Sequence, residues 1–202
     1  MNHLASILIL GFFLGLEHAL EADHVAAVSA LITETRGLHR AVWLGALWGL
    51  GHTVTILFFG LLVMGLRWHI PDKFPLAFES VVGFVLLILG ARVLWQLGRV
   101  SAGHTHKHSS FLLGLLHGLA GSGALTLLIV ASVRNMLEGM WFLLVFGAGS
   151  MISMTLISAC VGLPLLLSAR FVWLEKAVRA AAGIASIIVG FRILFMSISS
   201  II

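Results

Sequence analysis

Short polar connections divide the chain into six apolar stretches, at about residues 4–31, 41–66, 76–98, 110–133, 139–167 and 174–198. Each is long enough for the roughly 20 residues that carry an α-helix across a bilayer. With 60% hydrophobic and 10% charged residues and a mean hydropathy of +1.11, little is left over for a soluble domain. The expected fold is therefore an all-α polytopic membrane protein, one transmembrane domain over residues 1–202. The net charge of +4 is no nucleic-acid signal, because most Lys and Arg residues fall between apolar stretches, where they orient a membrane protein. The single cysteine, Cys160, excludes an internal disulfide. No removable signal peptide is expected, since the first apolar stretch lacks a basic leading segment.

Orientation follows from the basic residues in the connections. The first, third and fifth contain Arg36, Arg40, Arg99, Lys107, Arg170 and Lys176, and the second and fourth only Arg67, Lys73 and Arg134. Positive residues stay inside, so both termini are expected outside a cytoplasmic membrane.

The two halves of the chain repeat each other at an offset of 98 to 100 residues. Leu14-Gly15-Leu16-Glu17-His18-Ala19-Leu20 returns as Leu113-Gly114-Leu115-Leu116-His117-Gly118-Leu119, and Trp48-Gly49-Leu50-Gly51-His52 as Phe146-Gly147-Ala148-Gly149-Ser150. Gly83, Gly90, Arg92 and Leu94 return as Gly183, Gly190, Arg192 and Leu194. Three spans per half reverse the sense of the second copy. The spans are thus expected as two inverted three-helix repeats, about 4–98 and 110–198, the architecture of many secondary transporters working by alternating access.

Within the first stretch, residues 17 to 24 hold three carboxylates (Glu17, Glu21, Asp23) and two imidazoles (His18, His24). An ionisable group near the centre of a membrane helix costs roughly 2.5–3.5 kcal/mol, so such a cluster implies a polar pathway, a bound ion, or both. A cation held by His and Asp is the simplest compensation. His52 and His117 add two more imidazoles inside the membrane. On a regular helix, at about 100° per residue, His18 is about 120° from His24 and about 140° from Asp23. Either the first helix unwinds between His18 and His24, or the ligands divide between two sites along a path. Gly121-Ser122-Gly123, aligned with Ala22-Asp23-His24, points to a similar break in the fourth span.

His18-Ala19-Leu20-Glu21-Ala22-Asp23-His24 resembles the His-x4-Asp-His signature of the nickel and cobalt transporter family. Leu50-Gly51-His52-Thr53 resembles that family's Gly-His-Ser/Thr motif, and Gly114–Leu119 its third motif. The likeness covers nearly the whole chain and is greatest to the short, urease-accessory-type nickel permeases, with six spans in place of eight. It implies uptake of Ni²⁺ or Co²⁺, with His18, Asp23 and His24 required for selection and transport. The chain departs from the larger members at Gly121-Ser122-Gly123-Ala124, where they carry an acidic and threonine-rich continuation. Its His104-Thr105-His106-Lys107-His108 loop is similar to the His-rich loops of related nickel exporters.

The candidate metal residues are thus His18, Asp23, His24, His52, His117, Glu17 and Glu21. Met1, Asn2 and His3 form a separate candidate, because a free amino terminus, two backbone nitrogens and a third-position imidazole make a square-planar set for Ni²⁺ or Cu²⁺. Two ion pairs, Glu79 with Arg192 and Arg92 with Glu175, are expected to bracket the third and sixth spans. Met151 and Met154 are expected to pack rather than ligate. The expected partners are the metal ion and the lipid bilayer, with no nucleic acid; homo-oligomerisation is left open. The chain reads as a non-enzyme without a resident cofactor. It has no Gly-x4-Gly-Lys-Ser/Thr loop for ATP, whereas a divalent cation moving inward gains roughly 4–5 kcal/mol per 100 mV of potential. Neutral imidazole is the ligating form, so uptake is expected to weaken as pH falls through about 6.5. Efflux shares every ligand with import and differs only in direction. An intramembrane di-iron enzyme would need a His-x-x-His-His box, which the chain lacks.

Overall fold

The computed structural model describes residues 3–33, 37–66, 73–97, 107–119, 135–168 and 171–200, together with Thr35 and Val133. Among the described residues the protein is all-helical, with α1 His3–His18, α2 Ala22–Ile32, α3 Leu38–Leu66, α4 Lys73–Gln96, α5 Lys107–Leu119, α6 Met136–Ser168 and α7 Val172–Ser199. Four of them, α3, α4, α6 and α7, are long and apolar enough to cross a membrane. Their exteriors carry Phe58, Phe84, Leu156, Phe191 and Phe195, each more than half exposed, as helices facing hydrocarbon do. Trp43, Trp95, Trp141 and Trp173 are also exposed and lie near helix ends, as indole rings that prefer a membrane interface do. This is a membrane protein.

The first span, expected over 4–31 and either unwound between His18 and His24 or with its ligands divided between two sites, is two helices. α1 and α2 meet at a 56° bend. α1 ends in tight turns, Leu20 N–H to Glu17 O at 2.9 Å and Glu21 N–H to His18 O at 3.1 Å. Glu21 then leaves the helical region (φ −59°, ψ 148°) before α2 begins. Neither glycine nor proline lies in this break. Ala-Leu-Glu-Ala is a good helix-forming stretch, so the tertiary surroundings override local preference here. At its other end α2 turns into α3 through Gly37, whose φ of +105° suits a residue without Cβ.

Small residues and hydroxyls bind the helices together, as is usual where lipid removes the hydrophobic drive for helix pairing. α3 and α6 pack antiparallel, with Gly45 against Met154 and Ser158, Gly49 against Met151 and Gly60 against Leu143. α4 and α7 are also antiparallel, with Gly83 at the Gly190 carbonyl and Gly90 at the Gly183 carbonyl. Ser186 donates to the Leu86 carbonyl between those contacts, at 2.8 Å. α1 runs parallel to α6 and α5 parallel to α3. A methyl group added to Gly15 would overlap the Phe146 carbonyl, and one added to Gly114 would overlap the Trp48 carbonyl. Ser150 donates to the Gly15 carbonyl (3.0 Å), Ser110 to Leu44 (2.6 Å), Thr55 to Leu115 (3.1 Å) and Thr53 to Gly147 (3.1 Å). The main core lies where α2, α3 and α6 meet, around Val28, Ile32, Leu44, Trp48 and Met154.

Of the fourth span, expected over 110–133, the described part is α5; Gly121-Ser122-Gly123-Ala124 lies outside the described residues. So do Met1, Asn2, His104 and His106, while His3 opens α1 with its side chain exposed.

Candidate metal site

The bend between α1 and α2 brings together what helical spacing keeps apart. His18 on the last turn of α1 and His24 on the first turn of α2 have ring centroids 4.6 Å apart. His52 is fourteen residues from either end of α3, at the middle of that helix. Its ring stacks at 5.2 Å on His18 and meets His24 edge-on at 5.1 Å. One ligand atom from each of these three imidazoles can be chosen so that all lie within 4.8 Å of one another. His117 on α5 lies 5.1 Å from His24, and its Nε2 is 3.9 Å from Asp23 Oδ2. All four rings are at most 2% exposed.

Hydrogen bonds engage one nitrogen each of His18 and His24. His18 Nδ1 is 2.9 Å from Glu21 Oε1, and His24 Nδ1 is 3.0 Å from Asp23 Oδ1. An ionised carboxylate only accepts, so a neutral ring paired with one through Nδ1 carries its hydrogen there and keeps the lone pair on Nε2. Those two Nε2 atoms, and both nitrogens of His52 and of His117, have no hydrogen-bond partner within the described protein. An unsatisfied buried polar atom costs about 1–3 kcal/mol, and an imidazole braced at Nδ1 by a carboxylate is the usual form of a metal-ligating histidine. Soft nitrogen donors without thiolates suit Ni²⁺, Co²⁺, Cu²⁺ or Zn²⁺ better than Mg²⁺ or Ca²⁺.

A second grouping, Glu21, Asp23 and His24, shares His24 with the first. Exposure falls along it, with side-chain values of 44% for Glu21, 17% for Asp23 and 1% for His24. Asp23 and Glu21 border a cavity of about 430 Å³ between α2, α4 and α7. Glu17 is exposed on the last turn of α1 and belongs to neither grouping.

Two aromatic residues flank the imidazoles and were not singled out from the sequence as site residues. Trp48 stacks 6.4 Å from His24 and meets His117 edge-on at 5.0 Å, and Phe146 lies 5.6 Å from His18. Their signal was present, because they are equivalent positions of the repeated Trp/Phe-Gly-x-Gly segment. Met154 packs in the core and Met151 against Gly49, as expected. The acids of the two expected ion pairs have partners that were not expected. Among the described residues Glu175 pairs with Arg179, one turn along its own helix, at 2.6 Å. Glu79 accepts a hydrogen bond from Ser197 at 3.3 Å and lines the same cavity as Arg192.

Fold and site together define a polytopic membrane protein with a buried, carboxylate-braced imidazole cluster at a helix break. The urease accessory protein UreH of Bacillus sp. (strain TB-90) is 34% identical over 212 residues, covering 95% of this chain and 92% of the relative. A chain of Methanocaldococcus jannaschii whose name assigns it to nickel/cobalt efflux is 31% identical, over 73% of this chain and 72% of its own length. The Arabidopsis thaliana chloroplast protein FOR GROWTH AND FERTILITY 2 is 31% identical over 75% of this chain, which spans 46% of that protein. No family model and no solved structure matches the chain. The chain belongs to the nickel/cobalt transporter family, among its short urease-accessory-type members.

Proposed function

We propose that this protein is a secondary transporter that imports nickel or cobalt ions across the cytoplasmic membrane by alternating access. The observation that carries the reading is the convergence of His18, His24 and His52 at the α1–α2 break, with Nε2 of the first two unengaged. In this reading the three imidazoles hold the ion, while Glu21 and Asp23 orient the rings and His117 stands by as a further ligand.

Six spans in two inverted repeats, forming one transmembrane domain with both termini outside, complete the proposal. Matched contacts support the repeat. The His18–Phe146 ring pair has its equivalent in His117–Trp48, and the Gly15–Phe146 contact in Gly114–Trp48. Gly83–Gly190 and Gly90–Gly183 exchange under the 100-residue offset, as expected for a two-fold axis between α4 and α7. A site at the junction of such repeats, near mid-depth, can be exposed to either face by rocking one half against the other.

The test is radiolabelled nickel accumulation in cells expressing the wild type, Asp23→Asn, or neither. Accumulation above control that Asp23→Asn abolishes supports import. Accumulation below control supports efflux, the reading favoured by the name of the archaeal relative. Equal accumulation in all three removes the transport reading.

A further inference from the structure

The cavity of about 430 Å³ that reaches Asp23 is bordered by three carboxylates, Glu21, Asp23 and Glu79, and by one guanidinium, Arg192. Glu21 and Asp23 are tied to the imidazole cluster through His18 and His24. Glu79 is not. It lies on α4, across the cavity, and belongs to neither metal-ligand grouping.

Two features make Glu79 more than a solvated surface acid. It stands in the second turn of an apolar helix long enough to cross a membrane, half-buried beside a cavity. Its carboxylate is also held, because Ser197, buried on α7, donates to Oε2. Among the described residues Glu79 and Arg192 form no ion pair with each other, and both line the cavity. In their ionised forms, three acids against one base leave two negative charges uncompensated, which matches a divalent cation. A cleft with one dominant sign of charge and low-dielectric walls concentrates its counter-ion and speeds association. The cavity bordered by Glu175 and Arg179 near the opposite end of α2, about 260 Å³, has its acid and base paired with each other.

From this placement we infer that Glu79 is a recruiting residue for the transported divalent cation. It draws the hydrated ion into the α2–α4–α7 cavity and toward Glu21 and Asp23, while Arg192 opposes entry and sets its rate. The inference rests on the metal-transport reading but makes a separate claim, since Glu79 acts on the rate of arrival and not on the strength of final binding.

The experiment measures nickel association by stopped-flow tryptophan quenching on the purified full chain in nanodiscs of zwitterionic lipid. Trp48, stacked on His24, is the reporter, and Trp48→Phe identifies its signal. Glu79→Gln removes the charge but keeps an oxygen that can accept from Ser197, so the local packing is preserved. The expected result is association slowed about three- to tenfold in Glu79→Gln and accelerated by a similar factor in Arg192→Gln. Both differences should shrink as salt rises from about 0.05 to about 0.5 M, with dissociation unchanged within about twofold. Glu79→Asp, which keeps the charge, should associate like the wild type. Wild-type association in Glu79→Gln and Arg192→Gln, or shifts of the same sign in both, overturns the recruiting role while leaving the metal reading intact. No Trp48-dependent nickel response in the wild type overturns the metal reading, and the recruiting role with it.

Discussion

The α1–α6 seam and the α3–α5 seam are built alike and present different polar groups. In each, two parallel helices approach through a glycine whose missing Cβ admits a carbonyl, Gly15 at Phe146 and Gly114 at Trp48. In each, an aromatic ring from one helix lies against an imidazole of the other. The chemistry diverges at positions that leave this backbone contact untouched. His52 stands where Ser150 stands in the other seam, and Ser150 spends its hydroxyl on the Gly15 carbonyl whereas His52 keeps both nitrogens unengaged. Helix packing thus depends on small residues at a few contact points, which frees neighbouring positions to differ.

The largest effect should come from making the two seams chemically equal. In the transport reading, His52→Ser removes one of three imidazoles and should lower nickel affinity by at least the roughly 10- to 100-fold that loss of a supporting group costs. Titration of the purified protein checks this, and near-wild-type affinity would mean that His52 is packing and not a ligand. Asp23→Asn should follow, with a loss of about 10- to 100-fold, because the amide no longer fixes the His24 Nδ1 hydrogen as a carboxylate does.

Packing offers an intermediate effect. Gly15→Ala and Gly114→Ala should each destabilise the protein by about 1–3 kcal/mol, since both force a helix away from a carbonyl. Thermal melting in detergent that lowers stability in only one variant would break the structural half of the comparison. Smaller still, Ser150→Ala should cost about 0.6 kcal/mol, a usual value for a hydrogen bond between membrane helices. Glu17→Gln should change neither nickel affinity nor melting, because the side chain is exposed and outside both ligand groupings. A Glu17→Gln loss comparable to that of Asp23→Asn would extend the site onto α1 beyond His18.

Much of this was legible in the chain itself. Four of the six expected spans have the residues of long apolar helices, which begin two or three positions earlier than expected and end within two. The Glu17–His24 cluster announced itself by its cost in an apolar setting. The Glu175–Arg179 pair was not foreseen because charge sign and depth cannot choose between a partner on another helix and one a turn away. The role of Glu79 was hidden for a related reason, since a cavity belongs to three helices at once and no one of them encodes its shape.

The sequence by itself determined the class of molecule and the residue types gathered at the candidate site. Apolar length and the burial cost of charge are summed along the chain, so they can be read from composition and order alone. The tertiary structure decided that His18 and His24 share one face of a site, through a bend in a stretch with no helix-breaking residue. It also decided that His52 reaches them and that carboxylates leave their Nε2 atoms open. Those outcomes depend on where separate helices cross, which glycine contacts and inter-helix hydroxyl bonds fix jointly and no single segment specifies.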